Sequence, residues 1–137
     1  MPTPSLVSGV DANLARSAAL ALEVIRRDGP QTRPALAATM GLGRTALTQR
    51  LTVLQEAGLV MEGEYGESTG GRNPRLLRFN ASAGLILGLE LGATSFTVGA
   101  TDLAGNVLAL SNAVQEIAAG PELVLSRAEK VLRDLLA

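Results

Sequence analysis

Residues 32–58, TRPALAATMGLGRTALTQRLTVLQEAG, decide how this chain is read. Thr32 is a good helix N-cap, and Pro34 is tolerated in a first helical turn. Leu36, Ala37 and Met40 share one face of the helix that follows. Gly41-Leu42-Gly43 makes a tight turn. Leu47, Leu51 and Leu54 then recur at i, i+4 and i+7, which marks the buried face of a second helix. Ala37, four residues before Gly41, is small enough to let the two helices cross closely, and Leu42 drops into the angle between them. The pattern predicts a helix-turn-helix whose second helix fits a DNA major groove. The other face of that helix carries Arg44, Thr45, Thr48, Gln49 and Thr52, all hydrogen-bonding groups and none acidic. An ordinary helical hairpin with a solvated polar face is the alternative on these residues alone.

The flanking sequence narrows the choice. Upstream, residues 1–10 read as a loose arm. Asp11 can cap a helix running to about Asp28, striped by Leu14, Ala18, Ala21, Leu22 and Ile25 and stopped by Gly29-Pro30. Downstream, Gly58 ends the third helix. Residues 59–64 (LVMEGE) and 75–80 (RLLRFN) are strand candidates around a turn-rich loop, YGESTGGRNP. Three helices followed by such a hairpin make a winged helix-turn-helix over residues 11–80. Its tip carries Arg72, with Arg75 and Arg78 behind, a placement suited to phosphate or minor-groove contact.

The texture changes after a short junction. Residues 85–91 (LILGLEL) form a near-continuous apolar run, expected as a strand buried on both faces. Strands are expected at 95–101 and 107–111, and a last helix opens at Pro121, with Val124, Ala128, Val131, Leu132 and Leu135 on one face. Glu129 and Arg133 form an i, i+4 pair on the other side. Charge divides in the same place. Residues 1–80 hold nine arginines and seven acids; residues 81–137 hold three basic and six acidic side chains. The modest basicity means that any DNA contact must rest on local arginine clustering.

Composition removes several chemistries. Hydrophobic residues make up 47% of the 137, but aromatics only 2%, so the cores are built from Leu, Ala, Val and Ile. Without Cys there are no disulfides, thiol nucleophiles or cysteine zinc sites; without His there is no Ser-His-Asp hydrolysis or His-ligated metal in these residues. No apolar run reaches a membrane-spanning length, and the N-terminal residues lack the pattern of a signal peptide. A cytoplasmic, non-enzymatic protein with no cofactor, no metal and no membrane partner is the expectation.

Four pieces, in order and spacing, resemble the N-terminal part of ROK-family transcriptional regulators. They are GLGRTALTQRLTVLQEAGLV at 41–60, STGGRNPRLLRFN at 68–80, GLELGAT at 88–94 and DLAGNVL at 102–108. The resemblance implies an α+β chain: a three-helix winged helix-turn-helix, then a partial α/β (actin/sugar-kinase-like) segment of three strands and one helix at 84–137. It implies a sequence-specific regulator, a repressor of sugar-responsive genes, with double-stranded DNA as partner. Arg44, Thr45, Thr48 and Gln49 would face the major groove. Gly71, Arg72, Asn73 and Pro74 would form the wing tip, and Thr32, Arg33, Arg50 and Arg75 would reach phosphates. Glu90, Gly92 and Thr94 would be a vestigial phosphate loop. A homodimer would set two reading helices about 34 Å apart, and a sugar or sugar-phosphate effector would need the rest of a kinase-like domain, beyond residue 137. Two positions depart from the family pattern: Gly43 stands where Ser or Thr often caps the reading helix, and Asn73 separates Arg72 from Pro74. The alternatives are a ROK-family sugar kinase with an accessory winged helix, active only as a longer chain, and a winged helix used for protein contact. The polar, acid-free helix face and basic wing favour DNA over a protein partner.

Overall fold

The computed structural model describes residues 11–65, 70 and 75–137. They fall into two compact units, the described residues up to Asn80 and residues 81–137, and the chain is α+β, as expected.

The first unit is built on three helices. Helix α1, Ala12–Asp28, starts where the Asp11 side chain accepts the Asn13 N–H, and it ends at Gly29, whose φ of 82° few other residues adopt. Helix α2, Arg33–Met40, is capped by Thr32, whose hydroxyl accepts the Ala35 N–H at 3.2 Å. Gly41 adopts the left-handed conformation (φ 65°), so the Leu42 N–H folds back to the Ala37 carbonyl at 3.0 Å. That bond fixes the turn into α3, Arg44–Glu56. Gly43 offers α3 no side-chain cap. The departure at this position therefore leaves the first-turn N–H groups of the helix without the oxygen that Ser or Thr would bring.

Ala18, Ala21 and Ile25 of α1, Leu36 of α2 and Leu47, Leu51 and Leu54 of α3 form one core, which Val60 and Leu77 close from the hairpin. The largest of these, Ile25, Leu36, Leu51 and Leu77, are fully buried, and each contributes about 1.5–3 kcal/mol by leaving water. Strands β1, Val60–Tyr65, and β2, Arg75–Phe79, are antiparallel, with Val60 opposite Phe79 and Glu62 opposite Leu77. Gln31 adds an isolated β-bridge to this hairpin that the sequence did not announce. It exchanges both backbone hydrogen bonds with Leu77, at 3.1 and 2.7 Å. Confined between the helix stop Gly29-Pro30 and the cap Thr32, Gln31 stays extended and docks the wing on the helices. Asn80 ends the unit by donating Nδ2 to the Gly58 carbonyl at 2.8 Å.

The second unit is an antiparallel meander, order β3-β4-β5, formed by Leu85–Leu91, Ser95–Asp102 and Val107–Val114, followed by α4, Pro121–Leu136. Strand β5 runs three residues past the expected 107–111. The central strand alternates, burying Phe96, Val98 and Ala100 on one face. Helix α4 packs on β4 and β5, and Ala128 meets Phe96 and Val98 with Val131, Leu132 and Leu135 alongside. Glu129 and Arg133 form the expected ion pair. The expectation for β3 is corrected. It is exposed along its whole length, Leu85 at 51% and Leu89 at 40%, not buried on both faces. As an edge strand it pairs with β4 alone, while α4 lies over its neighbours. An apolar run records that burial would be favourable, not that a covering element is within reach. No helix among the described residues is long and apolar enough to cross a membrane.

Candidate nucleic-acid interface

The buried stripe of Leu47, Leu51 and Leu54 fixes which side of α3 faces solvent. Arg44, Thr45, Thr48, Gln49 and Thr52 all lie on that side and are exposed. The Thr52 hydroxyl is spent within the helix, donating to the Thr48 carbonyl at 2.9 Å. Arg44, Thr45, Thr48 and Gln49 line an open depression that Asp11 and Asn13 border at the start of α1 and Arg33 and Pro34 at the start of α2. The depression therefore runs along α3 from Arg44 to Val53 and touches the N-terminal residues of α1 and α2.

The residues expected at phosphates are placed less uniformly. Thr32 uses its hydroxyl as the α2 cap. Arg33 is engaged by Glu62: Nε donates to Oε1 and Nη2 to Oε2, both at 2.9 Å. The Arg33 hydrogen bonds hold the Glu62 carboxyl below the usual carboxylate range against the opposing effect of burial, with the Gln55 side chain and the Arg75 charge adding to the effect. Arg50 faces α1. Its Nε donates to Ser17 Oγ at 2.9 Å and its Nη1 to the Ala46 carbonyl at 2.8 Å, with Gln49 Oε1 at 3.4 Å. Arg75 is exposed at the first position of β2. Gly71, Arg72, Asn73 and Pro74 lie outside the described residues.

Two participants escaped the sequence reading. Glu62 has the strand parity of buried Val60, so its carboxylate had to sit on the core side of β1 and needed a partner there. Ser17 stands one turn before buried Ala21, on the inward face of α1. Both signals were present as polar residues on an apolar face.

In the second unit Glu90 is exposed on β3 opposite Thr97. The turn after it closes on itself: the Gly92 N–H donates to the Ser95 carbonyl at 2.8 Å, and the Thr94 carbonyl accepts the Gln115 N–H at 2.9 Å. A Cβ on Gly92 would stand 3.1 Å from the Ser95 carbonyl oxygen, which is a packing reason for glycine there.

The fold and this exposed helix define a winged helix-turn-helix joined to an antiparallel sheet-and-helix unit. Known proteins resemble the chain. The chain is 33% identical over 89 residues to a xylose repressor of Bacillus spizizenii and 32% identical over 89 residues to one of Bacillus subtilis, in each case 65% of this chain and 23% of the relative. It shares its fold with a crystal structure described as a ROK family transcriptional regulator, a homolog of the E. coli MLC protein, at a TM-score of 0.62 and 24% identity, covering 78% of this chain and 27% of that one. The likeness to a ROK-family regulator, read first from the sequence, is therefore shown. No protein-family profile matches the chain. It spans about a quarter of the length of the repressors it resembles.

Proposed function

We propose that this chain is the DNA-reading end of a sugar-responsive transcriptional repressor of the ROK family. The observation that carries the reading is the α3 face, exposed, free of acids over Arg44, Thr45, Thr48 and Gln49, and held outward by three buried leucines. In this reading α3 lies in the major groove. Arg44 pairs with a guanine edge, Gln49 with an adenine edge, and Thr45 and Thr48 take hydroxyl or methyl contacts, each good bidentate pair worth about 1–3 kcal/mol of discrimination. The wing tip, with Gly71, Arg72, Asn73 and Pro74, grips the minor groove, and Thr32 (by its backbone) and Arg75 approach phosphates. Arg50 acts from behind, holding α3 on α1.

Residues 84–137 begin a sugar-kinase-like domain in which Glu90, Gly92 and Thr94 are a vestigial phosphate loop without catalysis. The sugar effector binds further along a longer protein. That protein is a cytoplasmic homodimer whose two reading helices meet a palindrome one helical turn apart.

A binding selection from a random duplex library at moderate salt tests the reading. Enrichment of an inverted repeat, with affinity falling steeply as salt rises, is the expected result. Absence of binding even at low salt would move the winged helix to protein contact and overturn it.

A further inference from the structure

Arg33 borders the same depression as Arg44, Thr48 and Gln49, yet both arms of its guanidinium are taken by Glu62. Glu62 comes from β1, 29 residues away in sequence. Its side chain is only 17% exposed, whereas that of Arg33 is 37% exposed. A carboxylate on the core side of a strand gains little from solvent, so the pair is held from the buried end while the arginine remains at the rim. Two parallel charge-assisted bonds fix the guanidinium plane as well as neutralising it. Gln55 of α3 and Arg75 of β2 also act on Glu62, so the β1 carboxylate gathers groups from α2, α3 and β2.

Resting on the DNA reading above, we propose that Glu62 is a charge-masking residue: it withholds Arg33 from the phosphate backbone at the edge of the α3 face and so raises the share of binding that depends on sequence. Phosphate contacts add affinity for every duplex alike, whereas base-edge contacts add it for one. A cation neutralised inside the protein contributes to neither. Binding then leans on Arg44, Thr48 and Gln49, and the ratio of specific to non-specific affinity rises.

The test measures salt dependence of binding to a random-sequence 20-base-pair duplex (a length of roughly two helical turns) by the full chain and three variants: Glu62→Gln, Arg33→Gln, and both together. Unmasking Arg33 by Glu62→Gln should steepen the slope of log affinity against log salt by about 0.9, an extra loss of about threefold between roughly 50 and 200 mM. Arg33→Gln alone leaves the Glu62 carboxylate unpaired, so the double variant, which removes the neutral pair, is the reference. The double variant should keep the wild-type slope, and Glu62→Gln should be steeper than the double variant by about 0.9. An unchanged slope in Glu62→Gln, an equal slope in Glu62→Gln and the double variant, or a flatter slope in the double variant than in wild type would each overturn the masking role while leaving the DNA reading intact. If Glu62→Gln does not fold, the slope of the double variant against wild type decides alone. No binding by the unsubstituted chain would overturn both readings.

Discussion

Arg50 and Ser17, 33 residues apart in sequence, join α3 to α1 through an Nε–H···Oγ bond of 2.9 Å. The same guanidinium donates to the Ala46 carbonyl, so it also steadies the first turns of α3. Hydrogen bonds from charged donors are worth about 1.5–3 kcal/mol, and part of that is recovered when water replaces the lost partner. Ser17→Ala should therefore lower the stability of the first unit by about 1–2 kcal/mol. Urea unfolding would show this as a lower midpoint at unchanged slope.

Gly43 offers the opposite opportunity. It is extended (φ −76°, ψ 169°), and a Cβ built on it meets nothing within 4 Å. Serine there would bring an oxygen for a first-turn N–H of α3 and would reduce the freedom of the unfolded chain. Gly43→Ser should stabilise the unit by about 0.5–1 kcal/mol. Thermal unfolding should rise by a few degrees, and a fall would show that the added hydroxyl finds no N–H.

Arg44 is the exposed first residue of α3, and among the described residues no side chain holds it. Arg44→Ala should cost about 1–3 kcal/mol of discrimination at one base pair per half-site, without altering preference at the others. Competition between the selected duplex and its single-base variants measures this. A uniform loss across all variants would instead assign Arg44 to phosphate.

Acid should weaken the first unit partly through Glu62. Its carboxyl is held below the usual carboxylate range by Arg33, so the stabilisation is complete above the ordinary glutamate pKa of about 4.3 and is lost as pH falls through the lowered folded value. Glu62→Gln lacks this titration. The stability gap between wild type and Glu62→Gln, measured by urea midpoints, should narrow from neutral pH toward pH of about 3. A gap that stays constant would mean that the carboxylate charge plays no part.

Much of the fold was legible because its signals are local. Asp11, Thr32, Gly29, Gly41 and Gly58 mark helix ends by chemistry that acts within a few residues, and the leucine spacing of α3 declares its inner face. That inner face, by elimination, also declared the exposed set Arg44, Thr45, Thr48 and Gln49. What was not legible spans the chain. The Gln31–Leu77 strand pairing, the Arg33–Glu62 ion pair and the Arg50–Ser17 bond each link elements that are near in space and distant in sequence.

For this protein, then, the sequence by itself determined the element order, the helix-turn-helix and the polar face of α3, since capping, glycine conformation and apolar periodicity act over one or two turns. Only the tertiary structure decided which arginines are available and which are spent, and that β3 is an open edge. A guanidinium on an exposed helix start reads the same whether or not a carboxylate 29 residues away is brought to it. An apolar strand reads the same whether or not a helix lies across it, because charge pairing and burial belong to the packing of whole elements.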